Sequence, residues 1–255
     1  ALGTTLSCTI TSLLLLLIIT KKNTLIRLPL DQPYHHDRQI QKHAIMLALP
    51  MALERSTLSF GQIVFTKLVG GLGTKSLAAH FLAISAESIT YLPSSGFATA
   101  ATTLVAQALG SKNKSLARKY SNICMLWGTL LMSFMGIVLY LGSPMLMRFF
   151  TNDTQVIALG ITILRIEAFA QTGFGLSILA FGIFRGAGDT RRPFLIAVAG
   201  MWLIRLPLSL ILLRWTSLGL LGIWIAMMVD LNLRGIICFV QYRRFTFLDS
   251  WKEMS

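Results

Sequence analysis

The chain has 255 residues, of which 54% are hydrophobic and only 13% charged, with a mean hydropathy of +0.67. Soluble domains carry roughly 25% charged residues, so a globule of this composition would expose aggregating apolar patches, and the composition is that of a membrane protein. Cys8, Cys124 and Cys238 are too few and too scattered for a disulfide framework or a zinc site. The formal net charge of +13 would suggest nucleic acid in a soluble protein, so the placement of the charges decides.

Seven apolar runs are each long enough to cross a ~30 Å hydrocarbon core as helix; their limits are near 2–20, 43–69, 76–110, 119–147, 155–184, 193–213 and 217–240. None alternates strictly, which excludes a β-barrel. The third and fifth runs are long enough to require tilt, a kink or an interfacial end. The first run is followed, not preceded, by Lys21 and Lys22, unlike a secretory signal. It enters from outside and stops inside. With Ala at position 1, this predicts that 1–20 is the last span of a preceding N-terminal lobe of a longer polypeptide. Residues 21–42 then form a cytoplasmic linker, 43–245 a transmembrane lobe and 246–255 a cytoplasmic tail. The His35-His36-Asp37 run is read as solvated linker.

The second run carries Pro50, Glu54 and Arg55, and Arg55, Ser59, Gln62 and Thr66 form one stripe at helical spacing. The third carries Pro93 and a second stripe of His80, Glu87, Tyr91 and Ser94. Such stripes are either interhelical glue or the lining of a cavity. Helical rise places Glu54 and Glu87 each roughly 16 Å from a helix end, near the midplane, where transporters put substrate and coupling-ion sites. His80 reads as a packing histidine. In the fifth run Arg165 and Glu167 are two residues apart, point to different faces, and each need a partner elsewhere. The sixth holds Arg205 and Pro207. In the seventh, Asp230 and Arg234 are spaced i,i+4 and read as a structural ion pair. Pro50, Pro93 and Pro207 each remove a backbone hydrogen bond and are candidate bends.

Loop by loop, Lys and Arg alternate between many and few, fifteen against three. This is a positive-inside bias. It assigns the basic loops to the cytoplasm, leaves the C-terminus cytoplasmic, and makes anionic lipid rather than nucleic acid the partner of the charge. No HExxH, GxSxG or phosphate-binding loop is present, so neither an enzyme nor a bound cofactor is expected.

Several segments, taken in order, are similar to a known family. They are Leu49-Pro50-Met51-Ala52-Leu53-Glu54, Leu72-Gly73-Thr74, Leu77-Ala78-Ala79-His80, Gly96 through Val105 with Gln107-Ala108-Leu109-Gly110, and the corner Arg185-Gly186-Ala187-Gly188-Asp189-Thr190. Together they resemble the multidrug and toxic compound extrusion (MATE) family. The resemblance implies an all-α membrane protein, with a six-helix transmembrane lobe corresponding to helices seven to twelve of a twelve-helix fold, preceded by the end of helix six. It implies a secondary active transporter in the cell (inner or plasma) membrane. Such a transporter exports cationic or amphipathic drugs in exchange for H+, with Na+ as second choice, by rocking two lobes around a cavity. Its partners would be the bilayer, the substrate and the N-terminal lobe. The sodium-coupled branch has acids where this chain has Leu58 and Phe174. Read from depth and polarity rather than from the family, the pathway and coupling candidates are Glu54 and Glu87, with Arg55, Gln62, Tyr91, Arg165, Glu167 and Arg205. The competing readings are a lipid-linked oligosaccharide flippase of the same superfamily and a non-transporting membrane half-protein.

Overall fold

A computed structural model of the chain describes residues 2–20 and 37–244. The linker is therefore described only from Asp37 onward, and Lys21, Lys22, His35, His36 and the tail at 246–255 lie outside the described residues. All regular structure among the described residues is helical. Residues 1–43 and 44–255 form two separate compact units.

The first unit is built on α1 (Leu2–Thr20), which is predominantly apolar and carries no charged residue. Its hydroxyls turn inward on their own helix: Thr9, Thr11 and Ser12 each donate to the carbonyl four residues back at 2.8 Å. This satisfies the side chains without water, as a helix in lipid requires. At the end of this unit α2 (Arg38–Gly70) begins, capped by Asp37, whose Oδ1 accepts from the Gln39 amide at 2.8 Å.

The second unit continues α2 and adds α3 (Thr74–Gly110), α4 (Lys114–Phe150), α5 (Thr154–Ala168), α6 (Gln171–Gly186), α7 (Arg191–Ala199), a π-helical turn (Gly200–Arg205), α8 (Leu206–Trp215) and α9 (Leu220–Arg243). Because α5 and α6 are one broken rod, and α7, the π turn and α8 another, the unit is a six-rod lobe. Asn113 and Asp153 cap α4 and α5 by accepting from amides in their first turns at 2.8–3.2 Å. The α2–α3 and α4–α5 turns lie at one end of the lobe, joined by a hydrogen bond from Lys75 to Gln155.

Three rods (α4, the α7–α8 run and α9) are long and apolar enough by themselves to cross a membrane, and the bent α5–α6 pair makes a fourth. Helices α2 and α3 are as long, at 33 and 37 residues, but dilute their apolar character with polar stripes. On α4 the exposed Leu126, Leu130, Phe134, Ile137, Leu141 and Met145 form a single outward stripe. At 1.5 Å per residue it covers roughly 28 Å, close to the thickness of a hydrocarbon core.

The rods approach closely because small residues stand where they cross. A Cβ on Gly235 of α9 would lie 2.3 Å from the Gly173 carbonyl oxygen of α6, and one on Gly182 would lie 2.4 Å from the Ala98 carbonyl oxygen of α3. Thr102 uses this proximity, donating to the carbonyls of both Ala98 (2.9 Å) and Gly182 (2.8 Å). Toward the other end of α3, His80 is enclosed by Phe65 and Trp224, with ring centroids 5.9 and 5.7 Å away.

Pro50 and Pro93 sit inside continuous helices. Pro207 is the second residue of α8, just past the end of the π turn. The sharpest break among the described residues, 54°, falls at Phe169–Ala170 between α5 and α6, where there is no proline. At the break Asn232 of α9 donates to the Phe169 carbonyl at 3.3 Å.

Candidate functional site

The interior of the lobe holds a cluster of charges drawn from α3, α5, the π turn and α9. At its centre Asp230 is fully buried, and its Oδ2 accepts from Arg205 Nε at 2.8 Å and Arg234 Nη2 at 2.6 Å. The i,i+4 spacing of Asp230 and Arg234 therefore produces an ion pair, and Arg205 joins it from the neighbouring rod. Arg205 closes the π turn, with its guanidinium 5.8 Å from the Phe65 ring centroid and its carbonyl accepting from Ser209 at 2.7 Å. Asp230 Oδ1 and Arg234 Nε are buried with no protein partner.

Glu167 and Glu87 stand around this triad. Glu167 lies within electrostatic reach of Glu87, Arg205 and Asp230, and Glu87 within reach of Arg205. Glu167 occupies the last turn of α5, is fully buried, and neither carboxylate oxygen has a hydrogen-bond partner. One helical turn further on, Gln171 opens α6 beyond the break, also fully buried, with both amide atoms unpartnered. The group thus comprises three carboxylates, the half-buried Glu87 and the buried Glu167 and Asp230, and two guanidiniums, Arg205 and Arg234. Fully ionised, the cluster would carry one surplus negative charge. Among the described residues no three His, Cys, Asp or Glu side chains converge to hold a metal ion.

A second polar feature lies between α2, α3 and α6. Glu54 is buried, and Arg185 Nη2 donates to both of its oxygens, at 2.8 and 3.0 Å. Arg185, so held, lines a cavity of about 530 Å3 whose polar lining also includes Arg55, Thr99, Thr103 and Thr190. Just past Arg185 the chain turns through Gly188, at φ +82°, a conformation that suits glycine. Asp189 then caps α7, its Oδ1 accepting from the Arg192 amide at 3.1 Å.

The remaining sequence candidates are dispersed. Arg55 and Gln62 are exposed on α2. Tyr91 is exposed on α3, edge-on to Phe174 with centroids 6.3 Å apart. Arg165 points outward, 5.2 Å from the Tyr140 ring centroid, while Glu167 points inward. Gln171 is not among the sequence candidates, and Arg185 stands there only as part of the corner motif at 185–190. The i,i+4 spacing of Glu167 and Gln171 within an apolar run was the available signal for Gln171. Nothing in the spacing of Arg185 points to Glu54, 131 residues away.

An apolar helical lobe that buries ionisable groups around a broken rod has the architecture of a multi-pass membrane transporter. The chain belongs to the MATE family, whose family model (MatE) matches residues 50–211. It is 29% identical over 197 residues to the probable multidrug resistance protein NorM of Thermotoga maritima, an alignment covering 77% of this chain and 42% of that protein. It is 31% identical over 206 residues to the protein of the same name from Brucella suis, covering 78% and 43%. In three dimensions it matches the outward-facing conformation of a multidrug resistance MATE family transporter of the MOP superfamily. That match has a TM-score of 0.85 at 19% identity and covers 97% of this chain and 55% of the other. The chain thus spans about half the length of the relatives it matches.

Proposed function

We propose that the chain forms one helical lobe of a multidrug exporter, which moves small cationic or amphipathic compounds out across the cell membrane in exchange for protons. In this reading Glu167 and Glu87 hold the exchanged proton. The supporting observation is the charge balance of the cluster: three carboxylates, one of them the half-buried Glu87, stand with two guanidiniums, and Glu167 is fully buried without a hydrogen bond. A buried charge without a partner costs several kcal/mol, and a single proton removes the surplus. Loading or releasing that proton alters interactions among α3, α5, the π turn and α9 together. That supplies the differential energy between two arrangements that coupling requires. The position of Glu167 beside a broken rod fits the way transporters place ion sites at discontinuous helices.

The basic loops are assigned to the cytoplasm by the positive-inside bias. A second lobe, supplied by the same polypeptide, would close the pathway. Arg55, Gln62 and Tyr91 are polar groups exposed on α2 and α3, and we assign them to the wall of that pathway. Glu54 is assigned to holding Arg185 in the wall of the adjoining cavity.

The test is transport by the full native polypeptide in vesicles loaded with ethidium, under either a pH or a sodium gradient. The proton gradient should drive export and the sodium gradient should not. E167Q and E87Q should each lower the rate at least tenfold while membrane insertion is unchanged. Unaltered export in both variants would return the two carboxylates to a structural role.

A further inference from the structure

A crossing with no room to spare and an unfilled space share one turn of helix. A Cβ on Gly200 would meet Asp230 Oδ1 at 2.3 Å, and Arg234 Nη2 and Nε at 2.8 and 2.9 Å. The same residue borders a cavity of about 210 Å3, together with Leu195, Ile196 and Ala199 of α7, Ile204 of the π turn, and Arg234 and Ile237 of α9. That is space enough for an aliphatic side chain to change position. One residue further on, Met201 is buried against α2, where a Cβ on Gly61 would meet its Cε at 2.7 Å.

The turn that holds these contacts is one residue too long. A π turn closes its bonds from i to i+5 where an α-helix closes them from i to i+4, and the extra residue is absorbed within Gly200–Arg205. Such a bulge can travel along a helix whose ends stay fixed. Each residue it passes steps into its neighbour's place, turning by about 100° and shifting by about 1.5 Å. Pro207 offers no amide hydrogen for a re-formed bond, whereas every residue from Phe194 to Gly200 does, so the open course is toward α7. That movement takes Gly200 from its place beside the triad and puts Met201 there. Met201 carries the Cβ that Asp230 and Arg234 leave no room for.

We infer that the π turn is a movable register lock between the ion triad of α9 and helix α2. While Arg205 and Arg234 hold Asp230, only glycine fits beside them, and the bulge stays at Gly200–Arg205. When the triad loosens, the bulge moves toward α7, Ile196 and Ala199 turn within the adjoining cavity, and Met201 withdraws from Gly61. One turn thereby carries a change at α9 to α2 without displacing either end of the rod. π bulges concentrate at functional positions, and packed interiors switch between discrete arrangements instead of deforming continuously. The lock rests on packing alone, so it is independent of which carboxylates hold the exchanged proton.

The experiment is cysteine cross-linking in the full polypeptide, purified in detergent from a background without native cysteines, with A199C paired to I237C across the cavity. D230N keeps the shape of the side chain and removes the charge that grips both arginines. It should slow the cross-link by about tenfold, as when a two-state equilibrium tips from one register to the other, because residue 199 turns off the cavity. R205Q, which cuts the same tie from the π turn, should do likewise. Deleting Leu203, which is 74% exposed, removes the extra residue and makes the rod continuous α-helix with both ends in place. In that background the unfolding midpoint should stay close to that of the unaltered protein, and D230N should no longer change the cross-link. I204F fills the cavity without shortening the chain; it should have the same effect, and it carries the test if the deletion fails to insert. Unchanged cross-linking in both D230N and R205Q would overturn the lock by showing a fixed register. Slowing that persists in the deletion and in I204F would overturn it too, since the loss would then be general loosening.

Discussion

Gly200 leaves the space that Asp230 occupies: a Cβ at Gly200 would lie 2.3 Å from Asp230 Oδ1 and 2.8 Å from Arg234 Nη2. The π turn therefore does more than precede Pro207. It presents its one glycine to the ion triad of α9 and ends on the arginine that completes the triad. Asp230 cannot swing aside to admit a methyl group, because two arginines grip the same oxygen. G200A should lower the stability of the lobe by about 1–3 kcal/mol, the usual cost of overpacking a filled interior. Thermal unfolding in detergent would show it, and an unchanged midpoint would mean that the triad is loose.

The two arginines of the triad are not equivalent, and their substitution should rank them. Arg205 bridges two rods, whereas Arg234 lies on the same helix as Asp230 and is bonded within it. D230A strands both guanidiniums and should cost about 3–5 kcal/mol, the range for removing one partner of a buried ion pair. R205Q should cost nearly as much, since it also cuts the tie between rods. R234Q should cost least, because Arg205 still neutralises Asp230. The order of the three unfolding midpoints is the measurement; R234Q falling below R205Q would contradict the bridging role.

Glu54 and Arg185 offer a reciprocal test at the cavity between α2 and α6. E54Q and R185Q should each destabilise that contact, and the swap E54R/R185E should recover part of the loss. The coupling energy should be about 0.5–3 kcal/mol, the range for residues in direct contact. A cysteine placed at Thr99, which lines the same cavity, should react faster with an aqueous thiol reagent in the single variants than in the swap. Reaction rates equal across all variants would show that the pair does not hold the cavity wall.

The rods themselves were legible in the sequence, because a membrane-spanning helix announces itself by the length of its apolar run, and the interruptions are turns with recognisable chemistry. Helical spacing likewise sufficed for Asp230 and Arg234 and for the divergence of Arg165 and Glu167, since those relationships lie within one helix. What spacing could not supply were contacts between rods. Arg205 meeting Asp230, and Arg185 meeting Glu54, depend on crossing angles and on which glycines let backbones approach. The break at Phe169–Ala170 was hidden for a related reason. The Phe169 carbonyl there accepts from Asn232 of α9, and no proline marks the place, so the local sequence carries only the expectation that so long a run must bend.

The glycines themselves supply a contrast between positions that look alike in sequence. A Cβ on Gly235 would meet three backbone atoms of Gly173 within 2.8 Å, and backbone cannot rotate away as a side chain can. G235A must push α9 off α6 along the crossing that also brings Asn232 to the Phe169 carbonyl. The expected result is a loss of several kcal/mol, beyond ordinary overpacking, together with a looser α5–α6 break. Gly142 of α4 has nothing within 4 Å of where its Cβ would go. There alanine only removes the helix-interior penalty of glycine, and G142A should raise stability by roughly 0.5–1 kcal/mol. Unfolding midpoints should move in opposite directions for the two variants. Hydrogen exchange at the amides around Phe169 should quicken in G235A and stay unchanged in G142A. Equal tolerance of both substitutions would mean that the α6–α9 crossing is wider than the 2.3 Å approach requires.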